Sequence, residues 1–142
     1  MKRVVLDTNI VVSSALGGAL EEILDKWADD AFVVIVTSDL IDEYFQVINR
    51  PKFRLDQSIV DRIIRYLYQF SEFVTPEEKI QIVKADPNDD KFIEAAVAGG
   101  AEYIVSGDNH LLELGSYRGI SIITGREFLN LLTATQPSVS PP

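Results

Sequence analysis

Four acidic residues have the type and placement to do chemistry together: Asp7, Glu43, Asp90 and Asp108. Asp7 directly follows the apolar run at residues 4–6, and Asp108 follows a similar run at 103–105. Carboxylate oxygens are the ligands that Mg²⁺ and Mn²⁺ prefer, and clustered carboxylates repel one another unless a cation offsets their charge. If the fold gathers these acids, they form a candidate site for one of those two ions.

Each acid also has a structural alternative when it is considered alone. Asp7 could cap the helix predicted to follow it, although Thr8 and Asn9 could do so equally well. Asp108 could cap a short helix at residues 109–114. Glu43 lies at the edge of a helix's apolar stripe, where it could be a solvated residue that pairs with a nearby cation.

The segment at residues 86–90 contains three aspartates within about one helical turn. Asp86 is a good helix N-cap, and Pro87 suits the first helical position. Asp89 then falls where a carboxylate can bond back to the cap in a capping box. Asp90 is left without a structural role and precedes Ile93 by three residues, so it is predicted to face the core side. We therefore predict that Asp90 is the acid of this turn that belongs to the site.

Strand and helix patterns alternate along the chain and predict the element that positions each acid. Short β-branched runs predict buried strands at 3–6, 32–36, 103–105 and 120–123, with a weaker candidate at 80–83. Helical spacing of apolar residues recurs between and after them, at 20–27, 40–48, 59–70, 92–97 and 128–132. This alternation predicts an α/β fold with a central parallel sheet covered on both faces. Ligand sites in such folds lie beyond the carboxyl ends of the strands, where several of these acids fall.

Composition narrows the class of site. The chain has 142 residues, no cysteine and one histidine, so thiolate and multi-histidine zinc sites are excluded. The lone His110 is interpreted as a surface or capping residue. A net charge of −9 argues against a general nucleic-acid coat protein and agrees with an acidic cation site.

No apolar run is long enough to cross a membrane, so a cytoplasmic protein is expected. One domain is predicted over residues 1–132, followed by a low-complexity, disordered tail at 133–142.

Four motifs occur in the order and spacing of those in PIN-domain nucleases. Residues 4–9 (VVLDTN) resemble the first motif, and residues 38–43 (SDLIDE) with 49–53 (NRPKF) resemble the second. Residues 86–112 resemble the third and fourth, and the similarity spans about residues 2–132. Among PIN proteins the chain is similar to the VapC-like toxins of prokaryotic toxin–antitoxin pairs.

The resemblance implies a three-layer α/β/α sandwich, Mg²⁺ or Mn²⁺ as cofactor and RNA as substrate. It carries the catalytic role to Asp7, Glu43, Asp90 and Asp108, with support from Asn9 and Ser106. A threonine is common in the family where Ser106 stands, and serine keeps the hydroxyl. The resemblance further implies a homodimer and an antitoxin partner.

The expected reaction is hydrolysis of a phosphodiester with one or two cations. Asp7 and Asp90 are predicted as the main metal ligands, with Asp108 completing a second metal site. Glu43 is predicted to hold or orient the attacking water, either directly or as a further metal ligand. Of the basic residues between 50 and 65, three are predicted to contact phosphate and two to lie on a solvated helix face: Arg50, Lys52 and Arg54, then Arg62 and Arg65.

Three alternatives remain open. An aspartyl-phosphate enzyme would need a second aspartate two residues after Asp7, where Asn9 stands. A non-catalytic RNA-binding or assembly module could use the same fold, although the complete set of acids argues against it. A stand-alone RNA-processing nuclease would differ from a toxin only in having no antitoxin.

Overall fold

The computed structural model describes residues 1–134. Strands and helices alternate along these residues, as the sequence predicts. In chain order they are β1 (Lys2–Leu6), α1 (Thr8–Ala15), α2 (Glu21–Ala28), β2 (Phe32–Val36), α3 (Ser38–Ile48), α4 (Gln57–Gln69), β3 (Ser71–Phe73), α5 (Asp90–Gly99), β4 (Tyr103–Val105), α6 (Asn109–Leu114), β5 (Ser116–Tyr117), β6 (Ile120–Ile123) and α7 (Gly125–Ala134). Two short 3₁₀ turns, Pro51–Phe53 and Pro87–Asp89, precede α4 and α5.

The strands form one sheet in the order β3-β2-β1-β4-β6-β5. All neighbours pair in parallel except β5 and β6, which are antiparallel. Leu6 pairs with Val105, and Val105 pairs with Ile123. Three strands therefore end at the same level, so the residues that follow β1 and β4 are brought side by side.

Helices pack on the sheet through their apolar faces. Helix α5 contacts β1, β2 and β4, whereas α2 contacts β2, α4 and α7. Trp27 of α2 is fully buried. On α5, Gly99 lies very close to β2. A Cβ added to Gly99 would be 2.4 Å from Ile35 Cγ2, so only glycine fits at this position without movement of its neighbour. Parallel strands buried beneath helices explain the continuous apolar runs in the sequence, and the predicted α/β sandwich is confirmed.

The weaker strand candidate at 80–83 is wrong. Ile80 and Val83 bury their side chains, but their backbone N–H groups bond to carboxylates of α5 instead of a strand. Ile80 donates to Glu94 at 2.9 Å and Val83 to Asp90 at 2.8 Å. Two short edge strands, β3 and β5, were not predicted from the sequence.

Helix α7 includes the first two residues of the predicted tail. Thr133 and Ala134 continue α7, whereas the other predicted tail residues, 135–142, lie outside the described residues. Among the described residues, none of the helices is long and apolar enough to span a bilayer.

Candidate active site

Asp7 begins the site at the carboxyl end of β1. Its backbone N–H donates to Val105 O at 2.9 Å, which extends the β1–β4 pairing to this residue. Its Oδ1 accepts the Asn9 N–H at 3.5 Å and caps α1, while Oδ2 accepts the Ser106 hydroxyl at 2.7 Å. Asp7 can therefore cap α1 and belong to the site at the same time. The predicted supporting role of the Asn9 side chain stays a prediction.

Ser106 joins the ends of β1 and β4. Its buried hydroxyl donates to Asp7 and accepts the Asp108 N–H at 2.9 Å. Asp108 in turn caps α6 by accepting the His110 N–H at 2.8 Å. One hydroxyl thus fixes the positions of two of the predicted acids. The supporting role of Ser106 in catalysis stays a prediction.

The turn at residues 86–90 departs from the sequence interpretation. Asp86 caps the turn by accepting the Asn88 N–H at 3.2 Å, as expected. The capping box is absent, because the Asp86 N–H donates to Val83 O at 3.2 Å instead. Asp90 does have a structural role, since its Oδ1 accepts the N–H groups of Ile82 at 3.1 Å and Val83 at 2.8 Å. The expectation that Asp90 lacks such a role is wrong.

Asp89, for which the sequence predicts a capping box, lies with Asp86 close to Asp108. Its side chain is buried, and its Oδ2 has no hydrogen-bond partner among the described residues. Burial, the adjacent Asp108 and the negative charges of Asp86 and Asp7 raise the pKa of Asp89 to about 8. Ligand atoms of Asp86, Asp89, Asp108 and His110 all lie within 4.8 Å of one another. The only sequence signal for this role was the crowding of three acids in one turn.

Glu43 reaches the same cluster from α3. Its two carboxylate oxygens accept hydrogen bonds from the Thr8 hydroxyl and the Lys91 ammonium. Burial opposes its ionisation, yet the bonds from Lys91 and Thr8 hold the pKa of Glu43 below its usual range. Asp7 shows the opposite balance: burial raises its pKa against the bonds from Ser106 and Asn9, and the charges of Asp108 and Glu43 raise it further.

Tyr44 holds the end of β1, from which Asp7 follows. It is fully buried beside Glu43 in the sequence, and its hydroxyl donates to the carbonyl of Leu6, the last residue of β1. Burial, with the negative charges of Asp7 and Glu43, raises the pKa of Tyr44 well above its ordinary value. The phenol therefore stays a hydrogen-bond donor that holds the strand end where Asp7 begins.

The acids suit a hard divalent cation. A buried carboxylate oxygen without a partner, Asp89 Oδ2, is costly unless something absent from the protein itself satisfies it. Ligand atoms of Asp89 and Asp108 lie within 4.8 Å of each other and of Asp86. Asp7 is not part of that group, but it interacts electrostatically with both Asp89 and Asp108. Oxygen ligands of this kind are those that Mg²⁺ and Mn²⁺ prefer. Asp89 and Asp108, with Asp7 beside them, are therefore candidates to hold a metal ion, while Asp90 bonds to the neighbouring backbone.

The acids lie in an open cleft of about 1280 Å³ that has a basic rim. Five cationic residues line the cleft: Arg50, Lys52, Lys79, Lys84 and Lys91. Arg50 and Lys52 were predicted; the other three lysines were missed because they are isolated in the sequence. Arg54 is not part of this lining, and its contact with substrate stays a prediction. Arg62 pairs with Asp25 of α2 at 2.8 Å, which agrees with a solvated helix face.

The fold and the acidic site together indicate the family of proteins to which the chain belongs. A family model described as PIN domain matches residues 3–110, and the chain belongs to that family. PIN domains are generally metal-dependent nucleases. Among solved structures, the chain is similar to the crystal structure of PAE2754 from Pyrobaculum aerophilum, with a TM-score of 0.59 and 19% sequence identity over 94% of this chain and 91% of that one. At that identity the likeness confirms the fold alone. No curated protein matches the chain.

Proposed function

We propose that the protein is an endoribonuclease that depends on Mg²⁺ or Mn²⁺. The observation that carries the proposal is the buried, unpartnered Asp89 Oδ2 beside Asp108, at the sheet edge where Asp7 also lies. Asp7, Asp89 and Asp108 would hold the metal. The sequence-based assignment of Asp90 as a main ligand stays a prediction, and its bonds to Ile82 and Val83 do not favour it.

The residues of the site divide the work. A bound divalent cation would supply a water of lowered pKa and offset the charge of the scissile phosphate. Ser106 orients Asp7, and Glu43 stays ionised as a hydrogen-bond acceptor at the cleft wall. The cationic rim, including Arg50 and Lys79, would bind flanking phosphates and bring a polyanion to an acidic centre. Such positioning and charge compensation are the main contributions a protein makes to phosphoryl chemistry.

The alternatives differ from this proposal at identifiable residues. An aspartyl-phosphate mechanism would leave a phosphate on Asp7, but Asn9 stands where that chemistry needs its second aspartate. A non-catalytic RNA-binding module would have no need of the buried Asp89 beside a second carboxylate, Asp108, whose charge raises the pKa of Asp89. The proposal therefore requires cleavage and not merely binding.

The test is cleavage of a short labelled RNA by the purified full chain. Cleavage is expected with Mg²⁺ or Mn²⁺, no cleavage in excess EDTA, and no restoration by Zn²⁺. Asp89→Asn should be inactive, whereas Asp42→Asn, which alters another acid of the cleft lining, should keep activity. Full activity in EDTA, or with Asp89→Asn, would overturn the proposal.

We further propose that the protein is the toxin of a toxin–antitoxin pair, acts on cytoplasmic RNA and forms a homodimer. This rests on the motif resemblance and on the need of a cell to block a free ribonuclease reversibly. An antitoxin could insert an Arg or Lys among the acids, since a cation satisfies several carboxylates through charge-assisted hydrogen bonds. Co-purification from the native host tests the partner. Recovery of free, active protein with no neighbouring small gene that suppresses it would favour a stand-alone RNA-processing nuclease.

A further inference from the structure

A cation of the chain already lies inside the acidic cluster. Lys91, in the first turn of α5, donates from Nζ to Glu43 Oε1 and lies 3.3 Å from Asn88 Oδ1. Its side chain is 18% exposed and that of Glu43 is 21% exposed. The pair is therefore largely shielded from water, where an ion pair is screened less than at the surface.

This contact divides the cluster into two halves. Glu43 is satisfied, because Lys91 bonds to one of its oxygens and Thr8 to the other. In the described part of the chain, Asp7 and Asp89 have no Lys or Arg partner, and Asp108 has only His110 nearby, at 3.6 Å. One half is neutralised by a lysine of the protein itself, and the other half is left open to an external cation.

We propose that Lys91 takes the place of a second metal ion, so that the centre binds a single divalent cation. This inference rests on the proposed function. While Lys91 occupies Glu43, that carboxylate is not a metal ligand, and the external cation is left with Asp7, Asp89 and Asp108. Lys91 is thus a positioning residue: it holds Glu43 ionised at a fixed place on the cleft wall.

If Lys91 and Glu43 formed only a structural ion pair, the expected number of bound ions after removal of Lys91 would be different. Removal of Lys91 would then cost stability, because it leaves a shielded carboxylate unpaired, but it would not change how many ions bind. In our proposal Glu43, once released, becomes a ligand together with its acidic neighbours. The number of bound ions therefore distinguishes the two roles.

The experiment is titration of the purified full chain with Mn²⁺, by calorimetry and by the electron paramagnetic resonance signal of free Mn²⁺. One ion is expected for the wild type and for Lys91→Arg, and two for Lys91→Met. Lys84→Met, which removes another lysine of the cleft lining, should still bind one. The double variant Glu43→Gln/Lys91→Met, which removes both charges of the pair, should return to one ion. Lys91→Gln, which removes the positive charge but keeps a polar side chain, should bind two ions and provides the test if Lys91→Met alone fails to fold.

The outcomes separate this inference from the proposed function. Two ions in the wild type, or one ion in a folded Lys91→Met, would overturn the role of Lys91 while leaving a metal nuclease in place. For the double variant, two ions would overturn it as well. Absence of Mn²⁺ binding from the wild type, together with absence of RNA cleavage, would overturn the proposed function itself.

Discussion

The carboxylate of Asp90 accepts the backbone N–H of Val83 at 2.8 Å, and it also accepts that of Ile82 at 3.1 Å. These two hydrogen bonds hold the segment that contains Ile82 and Val83 against the first turn of α5. Its neighbour Asp89 is buried against Asp108 with one oxygen unpartnered. Two adjacent aspartates thus have different roles. Asp90 holds backbone N–H groups of the preceding segment, and Asp89 belongs to the candidate site.

Substitution of these two neighbours should separate stability from activity. Asp89→Asn should lower cleavage by about 100-fold or more, a loss typical of a group that stabilises charge in the transition state, without loss of stability. Asp90→Ala should lower the free energy of unfolding by about 2 kcal/mol, because one buried and one partly buried N–H group lose their acceptor. Urea unfolding in EDTA and RNA cleavage measure the two effects. A stable but inactive Asp90→Ala with a normal Asp89→Asn would reverse our assignment.

The metal-free protein should lose stability as pH rises. The pKa of Asp89 is raised to about 8 in the fold, against about 3.9 when unfolded. Between these values the folded state binds more protons, so the free energy of unfolding falls as pH increases. Urea midpoints between about pH 5 and pH 8 in EDTA should show this decline.

Two controls identify the group that titrates. Asp89→Asn cannot ionise and should flatten the decline, whereas Asp86→Asn should retain most of it. Saturating Mn²⁺ should also flatten it, because the metal favours the ionised carboxylate and releases its proton. An unchanged decline in Asp89→Asn would assign the titration to another group, Asp7 being the next candidate because its pKa is raised too.

Loss of the Ser106 hydroxyl should weaken the metal centre. Ser106→Ala removes the donor to Asp7 and the acceptor for the Asp108 N–H. We expect about 10- to 100-fold weaker Mn²⁺ binding or cleavage, as for other groups that orient metal ligands. Ser106→Thr keeps the hydroxyl and should remain active. Equal losses in both variants would point to packing rather than to the hydrogen bonds.

Arg50 should contact RNA phosphate, because it lines the cleft beside the acids. Arg50→Gln is expected to raise KM with little change in kcat and to reduce the salt dependence of RNA binding by about one phosphate contact. Arg54→Gln is the matched comparison, since Arg54 belongs to the same basic cluster of the sequence but not to the cleft lining. Binding that depends on Arg54 and not on Arg50 would place the RNA path elsewhere.

The sequence predicts the buried strands well and the edge of the sheet poorly. β2 and β4 are continuous apolar runs and β1 and β6 are mostly apolar, because parallel strands under helices are buried on both faces. β3 is Ser71–Phe73, a short and largely exposed edge strand that gives no such run. Residues 80–83 give a similar apolar signal without being a strand, because Glu94 and Asp90 satisfy backbone groups there.

The choice between Asp89 and Asp90 depends on a detail that helical spacing does not contain. The prediction assumed a regular α-helix from Pro87 onward. The structure has a 3₁₀ turn at Pro87–Asp89, and α5 begins at Asp90. A 3₁₀ turn advances by a larger angle per residue than an α-helix, which rotates the side chains relative to the predicted face. The strand-end residues Asp7 and Ser106 carried no such ambiguity, since register alone aligns them.

Tyr44 offers a spectroscopic reading of whether the sheet edge is intact. The chain contains five tyrosines, and the ultraviolet absorbance of each changes when its phenol ionises. Because Tyr44 is buried and bonded to Leu6, its signal should be missing from an alkaline titration of the folded protein and should appear only on unfolding. The same phenol that fixes the end of β1 is therefore a label-free indicator of the scaffold on which Asp7 depends.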